Sequence, residues 1–126
     1  MTSVSNNFLR FGVLALICGV GLGIWMGANE NFTLRPIHAH INLLGWATMM
    51  LYGLFYRVFP DAARGWAPVT QFFLAVIGFL LMMPSLALML LGNPVLLPAL
   101  MVGEIMTLLS ILLFAVILFR ATGKTA

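Results

Sequence analysis

Charge is what this chain most lacks. Of its 126 residues only 7% are Asp, Glu, Lys or Arg, against about 25% in soluble domains. Hydrophobic residues make up 63%, and mean hydropathy is +1.11. A water-soluble fold is excluded on these values. Acidic residues are the scarcest, three against six basic ones. The net charge of +3 is no nucleic-acid footprint, because the cations stand singly between apolar runs. Cys18 is the only cysteine, which rules out an internal disulfide and a cysteine cluster. Its place inside an apolar run reads as a small buried hydrophobe. There is also no glycine-rich phosphate loop, no nucleophile with a paired base and no carboxylate pair for hydrolysis.

What the chain does have is four apolar stretches divided by short polar breaks. They run over about Phe8–Gly27, Pro36–Phe59, Val69–Leu91 and Val95–Phe119. Each is close to the roughly 20 residues a helix needs to cross the hydrocarbon core. Strands are excluded because unpaired backbone groups in lipid are too costly. The expected fold is all-α: a four-transmembrane-helix bundle forming one integral membrane domain over residues 1–126. Arg10, Arg57, Arg64, Arg120 and Lys124 fall at one end of the spans, and Arg35 alone at the other. The positive-inside rule then puts both termini and the 57–68 loop in the cytoplasm. The first span resembles a signal peptide, but its length and Met26, where a small residue is needed, indicate that it is retained.

Glycines recur in the first span at Gly12, Gly19, Gly23 and Gly27. Such spacing lets a neighbouring helix or a flat cofactor approach the backbone closely. Trp25 and Trp66 read as interfacial anchors, and Asp61 and Arg64 as a solvated turn.

The informative stretch is Thr33-Leu34-Arg35-Pro36-Ile37-His38-Ala39-His40-Ile41-Asn42-Leu43-Leu44-Gly45-Trp46. Pro36 suits a first helical turn, where its missing N–H is no loss. Both histidines of the protein then lie in the outer first turn of the second span. Imidazole is the commonest metal ligand, and ionisable residues at membrane depth are usually functional. At about 100° per residue, His38 shares a face with Asn42, Gly45, Met49 and Tyr52. His40 points nearly the opposite way, towards Leu44, Ala47 and Leu51. On a regular helix the two cannot converge on one metal or take both axial positions of one haem.

Leu34-Arg35-Pro36-Ile37-His38-Ala39 resembles the Leu-Arg-Pro-Leu-His-Thr stretch that opens the second helix of subunit I in C-type haem-copper oxidases. His38 through Leu44 is similar to the His-Thr-Asn segment of nitric oxide reductases. The glycine-bearing first helix and the exit tyrosines Tyr52 and Tyr56 also fit. The resemblance covers about the first half of the chain. It implies a stand-alone relative of that family, in a bacterial-type inner membrane, with His38 as axial ligand of a haem b and Arg35 near a propionate. Subunit I has further helices and further metal-binding histidines, so a haem–copper binuclear centre cannot be built in this one chain.

A haem on His38 needs a second axial ligand or stays five-coordinate and open to gas. By depth, Met26, Met89 and Met101 are the methionine choices, and His38 of another copy in a homo-oligomer is a further one. Cofactor contacts are expected from His38, His40, Arg35, Asn42 and Met101. Copper held by His38, His40 and methionines is the alternative, and an accessory subunit whose histidines only hydrogen-bond is another. A redox partner is implied by an electron-transfer role.

Glu104 is the only carboxylate well inside a span. An unpaired carboxylate there is costly, so Asn42, Thr48 or His40 are expected as partners. It reads as a proton relay, a metal ligand or a tie between helices. The edge formed with Thr107 is expected to face the bundle.

Overall fold

A computed structural model describes residues 3–123; Lys124, one of the cations used for orientation, lies outside them. Among the described residues there are four long helical rods and no strand. These are α1 (Ser3–Ala28), α2, α3 (Trp66–Leu90) and α4 (Leu97–Gly123). Rod α2 is continuous but changes pitch, being α-helical over Arg35–His40, π-helical over Ile41–Thr48 and α-helical again over Met49–Val58. The rods overrun the apolar stretches mainly at one end. Polar residues such as Ser3 and Asn6 extend α1, since a helix can continue past the hydrocarbon boundary into the headgroup region.

Short turns with specific chemistry join the rods. After α1, the Asn29 side chain donates to Trp25 O at 2.9 Å, and Asn31 Oδ1 accepts from both the Thr33 amide and hydroxyl. Glu30 between them takes a left-handed φ of 50°, a conformation that favours short polar or glycine residues. Pro36 then sits in the first turn of α2. Gly92, at φ 88°, ends the turn out of α3, and Asn93 Oδ1 accepts from Val95 N at 3.2 Å. Only glycine adopts that φ without strain.

Rod α1 packs most closely on α2, and α3 on α4. Ser5 Oγ donates to Gly53 O at 2.9 Å, and Arg57 donates to the Asn6 side chain. Both contacts put the start of α1 beside the end of α2, so α1 and α2 run antiparallel. A cavity lined by Val58, Pro68 and Arg120 brings the start of α3 and the end of α4 to that same end. One end of the bundle therefore carries Arg10, Arg57, Arg64 and Arg120, and the other carries Glu30 and Arg35.

One aromatic cluster joins all four rods. Phe8 of α1 is fully buried and lies 5.2 Å from Tyr52 and 4.9 Å from Phe72, and Phe114 of α4 lies 4.6 Å from Tyr52. Apolar bodies gain little from leaving lipid for protein. Ring geometry and close contact therefore hold this cluster, at about 0.5–1.5 kcal/mol per pair. The outward faces are apolar too: Leu14, Ile17, Ile24, Leu51, Leu80, Leu108 and Leu112 are all exposed. In water such a surface would drive aggregation; against hydrocarbon it is the solvated face. Rods α1, α3 and the run Pro94–Gly123 are each long and apolar enough to cross a membrane. The chain is a multi-pass helical membrane protein.

Cys18 faces outward, contrary to the expectation of burial. The small residues Ala15 and Gly19 occupy the packed side of α1, and Cys18 falls off that stripe.

Candidate functional site

The half of the α1–α2 seam nearer the turn that joins the two rods is built from glycine on one side and polar side chains on the other. A Cβ at position 23 would come 2.8 Å from His38 Cε1, and one at position 19 would come 2.6 Å from Asn42 Oδ1. Only a bare backbone admits the imidazole and the amide at these points. Gly12 admits Met50 in the same way, whereas Gly27 meets nothing. The contacts of the four-residue glycine pattern therefore end at Gly23, Gly27 lying in the last turn of α1 with open space beside it.

His38 Nδ1 lies 2.8 Å from the Gly19 carbonyl oxygen. A carbonyl can only accept, so Nδ1–H donates and the neutral ring has its lone pair at Nε2. Asn42 Nδ2 donates to His38 O at 2.9 Å and lies beside the ring, 3.3 Å from Nδ1 and 3.5 Å from Nε2, at the limit of hydrogen bonding. Among the described residues Nε2 has only that distant amide beside it, whereas Nδ1 is engaged by the Gly19 carbonyl. The ring is half-buried.

The pitch change in α2 has a local cause. Asn42 takes the His38 carbonyl with its side chain, and Thr48 Oγ1 donates to Leu43 O at 2.7 Å, five residues back. These two side chains bracket the π segment, a feature often found at functional positions. The face expected to be shared by His38, Asn42, Gly45, Met49 and Tyr52 nonetheless points inward, with the last three buried and His38 and Asn42 against α1.

His40 diverges. Its Nδ1–H donates to Pro36 O at 2.6 Å on its own helix. The two histidines use different carbonyl partners, on different helices, and the first turn carrying both is regular. Among the described residues no group of three or more His, Cys, Asp or Glu side chains converges. Arg35 is exposed, with its guanidinium 5.5 Å above the Phe32 ring. Met101 and Met89 project from exposed sides of α4 and α3, while Met26 is buried.

Glu104 departs from expectation. It is exposed, on the outward side of α4, and does not face the bundle. Leu100, Gly103 and Ser110 form the packed stripe, with Thr107 donating to Gly103 O at 2.9 Å and to Met82 Sδ at 3.3 Å. Glu104 is one residue, about 100° of helix rotation, past the closest contact with α3 at Gly103. Among the described residues it makes no hydrogen bond to Asn42, Thr48 or His40, whose own bonds go elsewhere on α2.

The structure reveals a polar group that the histidine motif overshadowed. Tyr56 OH donates to Gln71 Oε1 at 3.1 Å, Gln71 Nε2 donates to Ser110 Oγ at 3.1 Å, and Ser110 Oγ donates to Gln71 O at 3.1 Å. Gln71 and Tyr56 are fully buried and Ser110 nearly so. Gln71 was detectable as an amide just inside the third apolar stretch. Its partners were not, because they come from two other helices.

Comparison of the chain with family models, characterised proteins and solved structures gives no match in any of the three. None of them supports the resemblance to haem-copper oxidases read from the sequence.

The donor chemistry at His38 fits a haem iron or another metal: metal-binding histidines commonly donate the second ring N–H to a carbonyl. Room inside the chain is another matter. His38 lines neither the cavity of about 400 Å³ near Arg64 and Arg120 nor the one of about 10 Å³ near Thr48 and Tyr52. A macrocycle on Nε2 would lie on the outside of the α1–α2 seam.

Proposed function

We propose that the chain crosses the membrane four times with both termini cytoplasmic, α2 being the fourth crossing, and that it binds haem b through Nε2 of His38. The role would be electron transfer, gas binding or haem handling. The observation behind this reading is the Nδ1–H to Gly19 carbonyl bond, which leaves the coordinating nitrogen free and the ring held. Arg35, one turn earlier on α2, would supply the cation for a propionate. Because the ring is only half-buried, at the edge of the α1–α2 seam, a second copy of the chain would cover the haem. This makes a homo-oligomer part of the proposal, with a redox partner for the electron-transfer role.

The test is spectroscopic. Protein purified in mild detergent is expected to be red, with a Soret band that His38→Ala removes and added imidazole restores in that variant. Restoration separates loss of a ligand from loss of the fold. A colourless preparation that takes up no added haemin would overturn the reading. Copper at one per chain in that preparation would move the assignment to metal handling.

A second reading has its own observation. His38 and Asn42 together tie α2 to α1 across glycine backbone. A protein that only docks in a larger membrane complex needs nothing more from them. Such an accessory subunit would be colourless and metal-free, and would lose α1–α2 packing when Gly23 is enlarged.

A further inference from the structure

We infer that the arginine-bearing end of the bundle holds the head group of one anionic phospholipid. The cavity there has a volume of about 400 Å³, inside the usual range of about 300–1,000 Å³ for small-molecule sites. It is formed where α2 ends, the 3-10 turn Pro60–Ala63 passes, α3 begins and α4 ends. Its floor is apolar, with Phe59, Pro68 and Ile117 among the walls. Its charged members are Arg64 from the loop, Arg120 from α4 and Asp61.

Charge selects the occupant. Two cations and one anion leave a rim of one net positive charge, the complement of a single phosphodiester. Arg64 pairs with Asp61 at 3.4 Å, but the two side chains are 81% and 88% exposed. A pair that exposed holds its partner weakly, so Arg64 remains available. Arginine binds phosphate through two parallel N–H donors, which suits a head group better than a point charge would. The first turn of α3 also lines the cavity through Ala67 and Pro68, and the start of a helix favours an anion.

Position and apolar lining select a lipid over a free anion. Trp66, 74% exposed at the start of α3, sits where an interfacial anchor belongs. Basic pockets between spans at the membrane surface are suited to anionic head groups. The glycerol region and upper acyl chain would lie on the apolar walls. Nothing in this inference depends on haem or on which leaflet the end occupies.

The full chain in detergent can be examined by native mass spectrometry with phosphatidylglycerol and phosphatidylcholine of identical acyl chains. One phosphatidylglycerol per chain is expected, at least threefold more occupied than phosphatidylcholine. The double variant Arg64→Gln/Arg120→Gln should lose that preference. Arg64→Lys/Arg120→Lys should keep most of it, and Arg10→Gln, at the same end but outside the cavity, should leave it unchanged. Equal occupancy by the two lipids, or an unaltered preference in the glutamine variant, overturns the proposal. Displacement of the lipid by millimolar glycerol phosphate or inorganic phosphate would assign the cavity to a soluble anion and overturn it equally.

Discussion

The two polar regions of this bundle are solved in opposite ways. Around Gln71, three helices contribute groups that satisfy one another, and the amide is fully buried. At His38, two helices contribute groups to a half-buried ring, and one ring nitrogen is left over. In lipid, a polar group with all its bonds made is a tie between helices, whereas one with a lone pair at the edge of the seam is open to a ligand. Burial and mutual satisfaction mark the Gln71 cluster as a tie, and incomplete satisfaction is what makes His38 the candidate site.

Enlarging the glycine seam should have the largest effect on stability. Gly19→Leu drives a side chain into Asn42 and Ile41, and overpacking of this kind costs about 3 kcal/mol. Unfolding in mixed detergent micelles would read it, and a loss under ~1 kcal/mol would show that α1 and α2 are not closely seated. Gln71→Ala comes next. It leaves the Tyr56 hydroxyl without its acceptor and removes the Nε2 donor to Ser110, whose own bond to the residue 71 carbonyl survives, at about 2 kcal/mol from unmet polar groups; the spectrum of a haem held as proposed at His38 should not change. An altered Soret band in that variant would erase the contrast between the regions.

His38→Ala is expected to lower stability by only about 1 kcal/mol, the loss of one membrane hydrogen bond and its packing, while abolishing the pigment. A large stability loss with unchanged colour would invert the comparison. Smallest is Asp61→Asn. Its pair with Arg64 is largely exposed, so stability should shift by less than about 0.5 kcal/mol in the same unfolding experiment.

Much of the fold was legible from composition and run length, because lipid leaves helices as the economical way to pair every backbone group. The residues that share a face of α2 also followed from its spacing, and the structure shows that Gly45, Met49 and Tyr52 on that face are buried. The π segment was not legible. It depends on Asn42 and Thr48 turning back onto carbonyls of their own helix, and many such side chains turn outward instead. Glu104 was misplaced for a different reason. Depth along α4 was readable, but azimuth was set by the contact of Gly78 with Gly103, where a Cβ at 103 would meet Gly78 O at 2.8 Å.

From the order of residues alone come a helical membrane protein, its basic and nearly neutral ends, and a histidine close to one rim. Apolar length and charge position decide these without reference to neighbours. Tertiary structure decided which nitrogen of His38 is free, which polar groups close on one another, and that two arginines meet over an apolar hollow. Each of those depends on how helices rotate and seat against each other, and glycine contacts a few ångströms wide set that rotation.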